Sequence, residues 1–66
     1  MYDEDKLRRT MLYKGHSPRQ VSKLIKMDEK TFYRKMKRGS WGLDEVKAIQ
    51  TACDFSTDEI VDLFLS

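Results

Sequence analysis

One cysteine, one proline, one histidine and three glycines are all that 66 residues supply of the types that build disulfides, metal centres and tight turns. The lone Cys53 excludes an intramolecular disulfide, and without cysteines and histidines at metal-ligand spacing there is no zinc site to read. That usage predicts a reducing, cytoplasmic setting. No apolar run approaches the roughly 20 residues that a membrane span requires. The start, Met1-Tyr2-Asp3-Glu4-Asp5, is acidic where a secretion signal is basic. Paired carboxylates spaced for proton transfer, a nucleophile beside a base, and a phosphate-cradling glycine loop are missing too. The expectation is therefore no enzyme, no cofactor and no metal. A chain of this length is expected to make one domain, residues 1–66, and to bury only about 60% of its unfolded surface.

Charge is what the chain has in quantity, 36% of its residues, and the formal net of +2 hides how it is sorted. Residues 14–38 hold nine basic side chains, Lys14, Arg19, Lys23, Lys26, Lys30, Arg34, Lys35, Lys37 and Arg38, against Asp28 and Glu29, a local net of +7. Residues 39–66 set Lys47 against Asp44, Glu45, Asp54, Asp58, Glu59 and Asp62, a local net of −5. A basic middle and an acidic end let a molecule present one face to a polyanion and turn the other away.

The apolar spacing predicts five helices and no strand. Helix 1 is expected from about Asp3 to Lys14, with early acids at its positive end, an inward stripe of Leu7, Met11 and Leu12, and Gly15 ending it. Helix 2, about 18–25, has Ser17 as N-cap, Pro18 at its first position and Gln20 completing a capping box; Val21, Leu24 and Ile25 face inward. Helix 3, about 29–37, opens on Asp28, buries Phe32 and Met36, and is broken by Gly39.

The next two helices begin with the same grammar. Gly42 with Glu45, flanked by Trp41 and Val46, opens a helix that buries Val46, Ile49, Ala52 and Cys53. Ser56 with Glu59, flanked by Phe55 and Ile60, opens another that runs to the end of the chain. On this last helix Ile60, Val61, Leu63, Phe64 and Leu65 spread over about 200° of the wheel, wider than one core stripe needs. Val61, Phe64 and Leu65 are accordingly expected to meet a second copy of the chain or another protein, with fraying of the terminus as the remaining alternative.

Two capped helices joined by a short turn, with a basic outer face, are what a helix-turn-helix reader of DNA requires. From about Leu7 to Ile60 the chain also resembles small regulators of the phage repressor and Cro type, in particular short prophage-encoded members. The resemblance is carried by Lys14-Gly15-His16-Ser17, the spacing of Val21, Leu24 and Ile25, the run Thr31-Phe32-Tyr33-Arg34-Lys35-Met36, and Glu45-Val46 with Ile49. Its family places a small residue where Ser22 sits, and glycine in the turn where Lys26 sits. Lysine in the left-handed region costs about 1 kcal/mol or somewhat more.

The resemblance implies a compact five-helix domain whose third helix enters the major groove; the small footprint of one module calls for a dimer, and the alternative is a prophage modulator that works mainly by binding a partner repressor protein. Helical periodicity independently groups Lys30, Tyr33, Arg34 and Lys37 opposite Phe32 and Met36. Glu29, Lys30, Tyr33 and Arg34 are the candidates for base contact: cations for guanine O6 and N7, Glu29 for cytosine N4, Tyr33 for a thymine methyl or a phosphate. Arg19, Lys23, Lys26, Lys35, Lys37 and Arg38 are candidates for phosphate contact, with the backbone amides at the start of helix 2.

Plainer roles stand beside these. A basic run can be a solvated face, Tyr33 an ordinary half-exposed aromatic, and Glu29 a favourable charge at a helix start. His16 and Trp41 read first as packing residues and Cys53 as a buried, inert thiol.

Overall fold

The computed structural model describes residues 2–65; Met1 and Ser66, which the expected span of 1–66 includes, lie outside the described residues. Five α-helices follow one another, α1 (Glu4–Tyr13), α2 (Pro18–Leu24), α3 (Glu29–Arg38), α4 (Leu43–Cys53) and α5 (Thr57–Ile60), and α5 continues into a π-helical turn, Val61–Leu65. No strand occurs among the described residues.

Short local signals start each helix. The Asp3 carboxylate accepts from the Lys6 amide at the start of α1. Ser17 and Gln20 form both halves of a capping box, at 2.9 and 3.2 Å, and Ser56 and Glu59 repeat it at 2.9 and 3.1 Å. Gly42 has no side chain to offer, so α4 has only the return half, the Gly42 amide donating to Glu45 Oε1 at 2.8 Å. Each such cap contributes on the order of 1 kcal/mol. Left-handed residues at Gly15, Lys26, Gly39 and Asp54 turn the chain between the helices.

One core holds the helices together. Leu7, Met11, Val21, Phe32, Met36, Ile49 and Cys53 are wholly buried, and Phe55, Ile60 and Leu63 nearly so. Burying each large side chain contributes about 1.5–3 kcal/mol, and the wholly buried Phe32 packs edge-on against Trp41 at 5.2 Å. Ser22 is 1% exposed and sends its hydroxyl back to the Arg19 carbonyl. Its smallness lets α2 pack against both α3 and α4.

Three expectations need correction. Leu12 and Leu24, expected inward, are 53% and 56% exposed. The buried face of α1 is the narrow line through Leu7 and Met11, and that of α2 is centred on Pro18, Val21 and Ser22, so both leucines fall at the edge. The last helix does not keep α-helical pitch: past Ile60 its turns widen to the π form. Leu63 is buried, Phe64 packs edge-on against Trp41 at 6.3 Å, and Val61 and Leu65 are left outward.

Candidate nucleic-acid interface

Asp28 sets the start of α3. Its carboxylate accepts from the amides of Lys30 and Thr31, at 3.1 and 3.3 Å, which fixes where Glu29 and Lys30 emerge. The turn before it reverses the chain through Lys26, held at φ 58°. The Met27 amide closes the turn by donating to the Ser22 carbonyl at 2.9 Å.

With Phe32 and Met36 wholly buried, the rest of α3 points away from the core: Lys30, Tyr33, Arg34 and Lys37 are all exposed. The Tyr33 ring leans edge-on against Phe32 at 6.2 Å, keeping 40% of its surface in solvent. Its ten residues make a cylinder about 15 Å long and about 10–12 Å across.

The ion pairs divide the cations into two sets. Lys6, Arg8 and Lys14 pair with acids of α1 or the C-terminal region, Arg19 with Glu29 at 3.2 Å, and Lys35 with Glu45 at 2.8 Å. Among the described residues Lys23, Lys26, Lys30, Arg34, Lys37 and Arg38, on α2, its turn or α3, make no ion pair, and neither do Arg9 on α1 and Lys47 on α4. Three of the expected contact residues therefore sit differently from the rest. Lys35 is tied to the first turn of α4, and Glu29 and Arg19 hold one another across the starts of α3 and α2. The start of α2 offers fewer free amides than its sequence suggests, because Pro18 has none and Gln20 gives its own to Ser17.

Electrostatics follow the contacts. Lys35, and after it the Gly42 amide, holds the Glu45 carboxyl below the usual glutamate range. The Ser56 amide and Lys14 do the same for Glu59. Burial pushes the Cys53 thiol up to about 11, an unreactive setting.

A residue that the sequence did not single out sits at the far end of α3. Tyr2 packs on the core, donates its hydroxyl to the Met36 carbonyl and accepts from Trp41 Nε1 at 3.4 Å. Burial raises the pKa of that hydroxyl. Nothing local in Tyr2-Asp3-Glu4 signals a partner so far along the chain.

Past the end of α3, Gly39, Trp41, Leu43, Val46, Phe64 and Leu65 line an apolar groove of about 280 Å³. Leu43 and Leu65 on its rim are 71% and 73% exposed. Among the described residues no group of three or more His, Cys, Asp or Glu could hold a metal ion, and no helix is long and apolar enough to cross a membrane. No family model, no curated protein and no solved structure matches the chain.

Proposed function

We propose that the chain is a sequence-specific DNA-binding regulator, a helix-turn-helix protein of the phage repressor and Cro type that lays α3 in the major groove. The observation that carries the reading is the two-sidedness of α3: Phe32 and Met36 buried, Lys30, Tyr33, Arg34 and Lys37 exposed, and those three cations without an ion pair among the described residues. Holding unpaired like charges together costs stability, and a polyanion is the partner that turns the cost into affinity.

In this reading Lys30 and Arg34 donate to base edges, and Tyr33 flanks them. Glu29 accepts from cytosine while Arg19 steadies its carboxylate. Lys23, Lys26, Lys37 and Arg38 meet phosphates. With these four phosphates engaged by one copy, log affinity falls against log salt with a slope of about −3.6. One module of this size covers only about 600–1,000 Å² of DNA, so tight binding calls for two copies on half-sites one helical turn apart. The apolar groove, with the exposed Leu65 in its lining, is the surface through which copies would associate.

That same groove favours a second reading, a prophage modulator that keeps this fold but works by binding a partner repressor protein. Selection of bound sequences from random duplex DNA at several salt concentrations separates the two. A palindromic consensus is expected for a dimeric reader. Failure to enrich any motif, with a stable complex on a second regulator, would favour the modulator.

A further inference from the structure

Lys37 and Arg38 ride on the last turn of α3, and helix ends fray because their final carbonyls lack intrahelical partners. Here the turn is closed from two directions. The Gly39 amide donates to the Lys35 carbonyl at 2.7 Å, and the Met36 carbonyl takes the hydroxyl of Tyr2, 34 positions earlier in the chain. Tyr2 also covers Gly39: a Cβ at that position would come within 2.6 Å of Tyr2 Cδ2. Trp41 Nε1 donates to the same hydroxyl and so holds the ring from beyond the helix.

The segment that carries Tyr2 brings charge as well. Asp3, Glu4 and Asp5 line one shallow hollow with Tyr2 and Lys37, although Lys37 makes no ion pair among the described residues. Negative charge beside Lys37 acts against a phosphate on that side and leaves its other side for DNA.

We propose that Tyr2 is a positioning residue for the DNA-reading face: by bonding the Met36 carbonyl and covering Gly39 it fixes the last turn of α3, and with it where Lys37 and Arg38 meet phosphates. The inference rests on the DNA reading above. Tyr2 itself touches no nucleic acid in this scheme; it acts through the helix end.

The test uses Tyr2→Phe, which keeps the ring on Gly39 and removes only the hydroxyl. Amide exchange is read on the free protein, and affinity is then measured on the duplex selected by the wild type, in the wild-type and Lys37→Ala/Arg38→Ala backgrounds. Exchange at Gly39 should accelerate about 3- to 10-fold, the range one ordinary hydrogen bond supplies, with α2 and α4 unchanged. Affinity should fall about 3-fold, and the fall should vanish once Lys37 and Arg38 are alanine. An equal fall in both backgrounds, or unchanged exchange at Gly39, overturns the proposal. Tyr2→Ala, which removes the ring too, should enlarge both effects; smaller effects than those of Tyr2→Phe also count against it. If the wild type selects no duplex, the DNA reading is what has failed, and exchange at Gly39 still reports whether Tyr2 holds the turn.

Discussion

The ammonium of Lys35 lies 3.0 Å from Oε1 and 2.8 Å from Oε2 of Glu45, tying the last turn of α3 to the first turn of α4. The pair makes this hold between α3 and α4 dependent on pH. Glu45 titrates below its ordinary range, so its contribution is present above the unfolded-state pKa of about 4.3 and is lost as pH falls through the lower, folded value. Glu45→Gln keeps an acceptor for the Gly42 amide while removing the charge. It should lower stability by less than about 1 kcal/mol at neutral pH in urea titrations, the pair being solvent-screened. The difference from wild type should shrink in high salt and close in acid.

Lys26 occupies the left-handed region, at φ 58°, where a side chain is disfavoured. Lys26→Gly relieves that strain but frees the unfolded chain, for a net gain of about 0.5–1 kcal/mol. The same change removes the proposed phosphate contact and should make the salt slope of DNA binding shallower by about one. Stability and affinity should therefore move in opposite directions, read by thermal melting and by titration at several salt concentrations.

Phe32 and Leu24 are both large and apolar, yet one is wholly buried and the other is 56% exposed. Phe32→Ala should cost about 3–5 kcal/mol, enough to leave a domain this small close to unfolded. Leu24→Ser should change stability by no more than about 0.5 kcal/mol. Similar losses from both in urea titration would mean that the faces of α2 and α3 are wrongly assigned.

Gly39 ends α3 at φ 72° beneath the ring of Tyr2. Gly39→Ala should destabilise by more than about 1 kcal/mol, since backbone strain and the overlap with the ring both act. Tyr2→Ala in the same chain removes the overlap and leaves the strain. The double variant should lose less than the sum of the two single losses, a coupling that a melting cycle measures.

Local signals were legible in the sequence. Ser17 with Gln20, Asp28 with the amides that follow it, and Ser56 with Glu59 each join groups two or three residues apart, so the spacing alone places the helix starts. Phe32 and Met36 were equally plain, since one helical turn separates two large apolar residues in a charged run. Leu12 and Leu24 were not, because which edge of an apolar stripe is covered depends on where the neighbouring helices approach, and Ser22 shifts that line on α2. The outward ring of α3 followed from periodicity. The engagement of Lys35 by Glu45 and of Met36 by Tyr2 did not, because both cross between separate elements and neither is written in any local pattern.

The most direct test of a DNA-reading third helix is the affinity of Lys30→Ala/Arg34→Ala for the duplex that the wild type selects, measured at one fixed salt concentration beside circular dichroism. Each good contact to a base edge supplies about 1–3 kcal/mol, so affinity should drop by at least about 30-fold while helical content stays the same. Unchanged affinity in a fully helical double variant would contradict the account.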